Sequence, residues 1–450
     1  MDRLTTPTPP GGPRAPRPPA SGHAGGDPRA HRSLTWVAVV CGLLSLLMMT
    51  GNLGWRALGM GMVLAVLPVP VYVMMALWLD RFEPEPARTL AQTFAWGASV
   101  AVLIALLLNT WVEFRLGQLI GYETARRAGA VIVGPLVEEV AKGAALLWLF
   151  HELRDEFDGV VDGVVYAAMV GLGFAMLENV QYYGEAINEG HDSLVTFAIR
   201  GVVGPFAHPL FTSMLGMGLG YARERHDPRT YRWAPPLGFA AAVGLHALWN
   251  YAASRDDDVL FMTLYAAVMV PVFFGVLVVI YQSLKREGAV IREHLAVLVQ
   301  QGVIGPDELE RLCVVRNRLR ATWQAYRIGG IPSWRERREL HRIASELAFH
   351  RWRVGRGLTL GAEADAARDA EYLRRLEALC RARSAALGEL PPPAPDRDGR
   401  PDGAVPHLFV TRALAAEHPE TLTVPDGSAD DPAPAPDPGN GDTPASAPGG

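Results

Sequence analysis

Glu138, Glu139 and Lys142 stand inside an otherwise apolar run, Gly134-Pro135-Leu136-Val137-Glu138-Glu139-Val140-Ala141-Lys142-Gly143-Ala144-Ala145-Leu146. An ionisable side chain at bilayer depth costs roughly 2.5–3.5 kcal/mol on insertion scales, so this run predicts a functional site turned toward the interior of a helix bundle. Other apolar runs carry groups of the same kind: Glu178 with Asn179, His208, and His246 with Asn250. Carboxylates and imidazoles together suit water activation, with a glutamate as general base and His or Asn groups to orient a carbonyl or stabilise an oxyanion. The same groups suit a divalent metal, zinc first, because two histidines and a glutamate are common zinc ligands; Glu178, His208 and His246 are the expected set. No H-E-x-x-H helix, phosphate-cradling glycine loop, Ser-His-Asp signature or cysteine-nucleophile motif competes with this reading.

Helical spacing adds detail. Glu138 and Lys142 are i, i+4 and are expected to pair, leaving Glu139, about 100° around the helix, free for other work. His246 and Asn250 share the same spacing and so the same face. Pro205 and Pro209 flank His208 and loosen that helix. Each group alone also has a plain structural reading: a self-neutralising pair, interhelical hydrogen-bond glue, a satisfied core histidine.

The elements that must position these groups are membrane helices. With 49% hydrophobic and 20% charged residues, and the apolar residues concentrated between 34 and 284, the chain reads as all-α: a polytopic transmembrane helical bundle. Hydropathy predicts about eight spans: 34–50, 57–79, 90–111, 131–150, 160–183, 195–222, 234–253 and 258–284. A short surface helix is expected over 113–127. At 1.5 Å of rise per residue, Glu138, Glu178, His208 and His246 lie roughly 8–12 Å below the outer ends of their spans. Agreement of depth across antiparallel helices is what one enclosed site requires. Arginines concentrate on the loops that share a side with both termini, which predicts N- and C-termini in the cytoplasm and the plasma membrane as the location.

Four regions follow: a disordered tail over 1–31, a transmembrane domain over 34–284, a cytoplasmic helical region over 285–387 and a disordered Pro/Ala/Asp-rich tail over 388–450. In the third, Pro306-Asp307-Glu308 forms a first helical turn, and Ser333 with Glu336 makes a capping box. Its arginines read as a solvated or headgroup-facing surface, and no nucleic-acid reader motif accompanies them. Cys41, Cys313 and Cys380 form neither a disulfide framework nor a thiolate metal site. The formal net charge of −5 averages acidic and basic stretches and predicts no partner.

In order, Glu138-Glu139-x-x-Lys142, Phe174-x-x-x-Glu178-Asn179, a mid-span His208 and His246-x-x-x-Asn250 resemble the PrsW family of intramembrane proteases, related to the CAAX-type prenyl-protein endopeptidases and their bacterial relatives. The stretch from Leu79 to Pro86 resembles a loop of the same family, and the likeness covers roughly 65–283. The CAAX-type members carry a histidine where this chain has Glu178. The resemblance implies proteolysis of a membrane-embedded substrate, typically a single-pass anti-sigma factor, in the lipid bilayer. It makes Glu138 the favoured base, Glu139 its essential neighbour, and Glu178, His208, His246 and Asn250 site-lining groups, with Lys142 and Asn179 in support. Two other classes fit a bundle with buried charges: a proton- or ion-coupled transporter, against which no internal repeat is found, and a non-catalytic membrane scaffold.

Overall fold

Long apolar runs with few internal breakers leave helix as the way to satisfy every backbone group in lipid, and the chain takes that course. The computed structural model describes residues 28–386 apart from 80, 81, 83, 155, 205, 226, 256 and 358–360. Among these residues there is helix and no strand. The expected tails fall outside the described residues, except that 28–31 already belong to the first helix.

That helix, α1 (Pro28–Val66), breaks at Gly54 and is followed by α2 (Val69–Leu79). A π-helical turn, Gly97–Ala101, joins α3 (Ala87–Trp96) to α4 (Val102–Ile120). The surface helix expected over 113–127 is smaller than predicted. Gly117 is carried within α4, which runs on to Ile120 and stops only at Gly121, where φ is 84°; α5 (Tyr122–Ala128) starts after that break. A second π turn, Gly129–Val133, leads without a break into α6 (Gly134–Glu152), whose Pro135 has no N–H to continue the hydrogen-bond ladder. The central helix is α7 (Val160–Glu189). After it come α8 (Ser193–Phe197), a π turn at Ala198–Val203, α9 (Ala207–Arg225) and α10 (Pro228–Ala253). The Asp227 carboxylate caps α10 by accepting from the Arg229 and Thr230 amides.

Then α11 (Asp258–Leu264) passes through a π turn, Tyr265–Met269, into α12 (Val270–Gln300). Beyond it lie α13 (Pro306–Cys313), which opens on Pro306 and two acids as expected, α14 (Val315–Gly355) and α15 (Ala362–Ala386). A second unit, Arg353–Arg368 with Pro393–Gly450, is described only in the end of α14 and the opening of α15.

Among the described residues, five helical runs are long and apolar enough to cross a membrane: Arg32–Leu79, Ala87–Ile120, Val160–Glu189, Ser193–Arg225 and Asp258–Gln300. The eight predicted segments lie on helix apart from a turn at 67–68 in the second and residues 204 and 206 in the sixth; the first two share one run, and α6 and α10 lie outside the five. In α6 the reason is its buried charges, which lower the hydropathy of an otherwise apolar helix. The chain is a multi-pass membrane protein built as an all-α bundle.

Lipid is as apolar as leucine, so close packing rather than water exclusion must hold such helices together. Accordingly α7 is buried along most of its length, with Val165, Tyr166, Val170 and Val180 inaccessible to solvent. Its Gly171 lies against the backbone of His208 and Pro209; a Cβ there would stand 2.7 Å from the Pro209 nitrogen. A residue with no side chain thus sets how near α9, and the histidine at its start, comes to α7.

Candidate active site

Four helices meet around the polar groups: α6 brings Glu138, Glu139 and Lys142, α7 brings Glu178 and Asn179, α9 brings His208, and α10 brings His246. All but Glu178 are buried, and Lys142 is wholly inaccessible. Phe211, fully buried, stacks on the His246 ring at 4.9 Å between centroids, and the two imidazoles meet edge to face at 5.0 Å. Phe174 lies 5.2 Å from the His208 ring and lends its face to the Lys142 ammonium, 4.4 Å from the centroid.

The pairing within α6 differs from the expectation. Lys142 Nζ donates to Glu139 Oε1 at 2.6 Å, an i, i+3 contact, and Glu138 is the carboxylate left over. Tertiary partners decide the choice. Glu139 Oε1 also accepts from His246 Nδ1 at 2.9 Å, and Oε2 accepts from Thr212 Oγ1 at 2.9 Å. Three donors from three helices converge on one carboxylate, so it is fully committed. Glu138 Oε2 is buried without a hydrogen-bond partner among the described residues and lies 3.6 Å from His246 Nε2.

These contacts fix the proton positions on the imidazoles. A carboxylate only accepts, so His246 carries its proton on Nδ1, toward Glu139, and turns the Nε2 lone pair to Glu138. An ammonium only donates, so Lys142, 3.1 Å from His208 Nδ1, makes that nitrogen the acceptor. His208 Nε2 then donates to Glu178 Oε2 at 2.8 Å.

Glu178 is held from a second side by Arg200, on the π turn before α9, whose Nη2 donates to the same oxygen at 2.8 Å while its Nε donates to Asn179 Oδ1 at 2.9 Å. Arg200 also lies over the Tyr182 ring, 3.5 Å from its centroid. It is a site residue that the sequence analysis did not single out. Its signal was that an arginine eight residues before His208, two helical turns away, can reach the same layer. Asn179 therefore supports Arg200, and among the described residues no hydrogen bond joins it to either histidine. Asn250 does not join the cluster either: its Nδ2 donates to the Ala130 carbonyl at 2.9 Å, tying α10 to the π turn that opens α6.

The donor atoms that could share a metal come from Glu138, His208 and His246, all within 4.8 Å of one another. Glu178, expected in that set, is instead engaged by Arg200 and His208. The trio is a zinc-type donor set, and the orphaned Glu138 oxygen is a ready ligand atom. Both ring nitrogens of His208 already have partners, so an ion bound there takes the place of Lys142 or of Glu178. Charge balance favours a cation. Glu138, Glu139 and Glu178 face Lys142 and Arg200, which leaves one negative charge for a metal or a proton to neutralise.

Residues 85–276 match the family model described as "PrsW family intramembrane metalloprotease". Among curated proteins, Protease PrsW of Clostridioides difficile is 30% identical over 189 residues, covering 42% of this chain and 76% of the relative. Protease PrsW of Bacillus subtilis is 38% identical over 176 residues, 38% of this chain and 72% of the relative. The Geobacillus kaustophilus protein of the same name is 28% identical over 173 residues, 38% and 70% of the two chains. No solved structure matches the chain significantly.

Proposed function

Because the chain belongs to the PrsW family of intramembrane proteases, we propose that Glu138 takes the proton of the water that attacks a peptide bond in its membrane-embedded substrate. The observation that carries this reading is the buried, unpaired Glu138 Oε2 beside His246 Nε2. Every other carboxylate of the site is already spoken for by two or three donors. Proton acceptance by Glu138 needs a neighbour to receive or return the proton at the leaving nitrogen, and the His246 Nε2 lone pair at 3.6 Å is the nearest. Glu139 holds His246 in the tautomer that makes this possible. His208, oriented by Lys142 and Glu178, closes the other side; its single N–H is given to Glu178, so it lines the site without a free donor.

A divalent metal, zinc first, would be held by Glu138, His208 and His246 and would supply Lewis-acid polarisation of the scissile carbonyl and of water; Glu138 and His246 Nε2 would then serve as its ligands in place of their proton-transfer roles. For substrate, the reading is a single-pass membrane protein, an anti-sigma factor being the class the resemblance implies. It is supported by an apolar cavity of about 580 Å³ between α2, α7, α9 and α12, lined by Tyr72, Leu172, Phe206, Pro209, Leu210 and Phe273 among others. Phe206 and Pro209 flank His208, so an apolar segment lodged there would lie one residue from the site. The arginine distribution supports both termini in the cytoplasm, with the plasma membrane as the location proposed.

The test is cleavage of candidate single-pass proteins by purified enzyme in detergent, comparing wild type with Glu138→Gln and His208→Ala, each with and without a chelator. Loss of cleavage by about 100-fold or more in both variants, with helix content unchanged, is expected. Chelator inhibition reversed by zinc would assign the metal. Full activity in Glu138→Gln would remove Glu138 from the reaction.

A further inference from the structure

We infer that the break in the middle of α14, with the arginine stripe leading to it, docks on the anionic headgroup surface of the bilayer that holds the chain. The helix is interrupted at Gly329 and Gly330, the latter with φ 64°, ψ −151°. Large apolar side chains crowd around this break and face outward: Trp323 is 62% exposed, Tyr326 46%, Ile328 75% and Ile331 55%. Trp323 and Tyr326 stack with ring centroids 5.7 Å apart. A patch of this kind on a water-facing surface marks an interaction site, and tryptophan beside tyrosine is the pair enriched where membrane meets water.

Charge and position single out the partner. Arg316, Arg320, Trp323 and Arg327 fall at spacings of three and four, one stripe of the helix, and all are exposed. From Val315 to Arg335 the sequence contains no aspartate or glutamate. Arginine can lay its aliphatic stem along apolar surface while its guanidinium reaches phosphate, so an Arg-Arg-Trp-Arg stripe suits a lipid headgroup layer better than open water. The helix is also rooted at the membrane boundary. Arg318, buried, lies over the Phe82 ring at 4.4 Å from its centroid, and Phe82 follows the end of the first apolar run at Leu79 by only three residues. Arg318 is held there by hydrogen bonds to the Leu312 carbonyl and Ser345 Oγ, both 2.6 Å. Trp323 follows Arg318 by roughly 7.5 Å of helix, within reach of the interface. A pure solvent-facing arm would need none of the four apolar groups, and an acidic protein partner would not require this root at the bilayer edge.

The test uses the full chain in nanodiscs of phosphatidylcholine alone and of phosphatidylcholine with phosphatidylglycerol, with backbone hydrogen exchange read over residues 320–334. Exchange about tenfold slower in the anionic discs is expected. The difference should collapse at high salt, in Arg316→Gln/Arg320→Gln/Arg327→Gln and in Trp323→Ser, while α12 and α15 keep wild-type protection. Equal exchange in both lipids overturns the inference, and so does protection that follows protein concentration in detergent, which would assign the patch to a second copy. Substrate cleavage has no part in the readout, so this inference and the protease mechanism stand or fall separately.

Discussion

Under the proposed mechanism Glu139 acts without touching the reacting atoms. It accepts from Lys142, His246 and Thr212 at 2.6, 2.9 and 2.9 Å, and through His246 it decides which ring nitrogen faces Glu138. Glu139→Gln keeps the shape but offers an amide that can donate, which spoils the tautomer. Cleavage is expected to fall about 10- to 100-fold, as for carboxylates behind catalytic histidines, mainly in kcat. Thr212→Val removes one donor worth about 1 kcal/mol and should cost only a few-fold, so comparing the two rates separates the tautomer effect from simple loosening. The sequence names residues that the fold brings together, but not who pairs with whom. Glu138 and Glu139 stand four and three residues from Lys142, and both spacings allow a pair. The choice was made by Thr212 and His246, which no local rule connects to α6. Asn250 misled for a similar reason: its i, i+4 relation to His246 is real, but its amide is taken by the Ala130 carbonyl.

Among elements, α7 is the ruler of the bundle, and Gly171 is its finest mark. A methyl group there would meet the Pro209 nitrogen at 2.7 Å and the His208 carbonyl carbon at 2.9 Å, atoms of backbone that cannot swing aside. Gly171→Ala is therefore expected to push α9 outward, lowering stability by about 1–3 kcal/mol and cleavage more steeply, because His208 moves with the helix. Gly244→Ala is the control: nothing lies within 4 Å of its Cβ position, so the same exchange should be neutral or mildly stabilising. Thermal unfolding in detergent and cleavage rate together check both. The helices themselves were legible, since runs of apolar residues between short polar loops leave few choices. Their interruptions were not. The π turns at Gly97–Ala101, Gly129–Val133 and Ala198–Val203 carry no breaker of the kind hydropathy registers, yet the last two open the way into α6 and α9 and hold Arg200 and the Asn250 contact in place.

At the scale of the whole molecule, the apolar core does not stop at the boundary drawn near residue 284. α12 runs unbroken from Val270 to Gln300, and one continuous cluster joins Leu149, Val165 and Leu210 of the membrane bundle to Ile291, Leu312, Ile343 and Leu347 beyond it. Composition could not reveal this, because polarity changes along the sequence while packing continues in space. The outer layer hides ionisable groups of its own. Arg337 is fully buried, facing Glu308 at 2.5 Å, and His341, one turn later, is 7% exposed with Nε2 unpaired among the described residues. Burial first, then the charges of Arg318, Arg337 and Arg383, hold the His341 imidazole well below its ordinary value. The unfolded chain takes up that proton near pH 6.5, whereas the folded chain resists it. The stabilisation is therefore complete above about pH 6.5 and is lost as pH falls from there toward the depressed folded value, at up to about 1.4 kcal/mol per pH unit. His341→Leu removes the group and should flatten this part of the profile. Thermal unfolding of wild type and variant in detergent at neutral pH and about one unit below 6.5 measures the difference. Parallel pH profiles would mean that the proton enters elsewhere. Because the core is shared, a steeper wild-type profile should appear in the melting of the membrane helices as well as in α14.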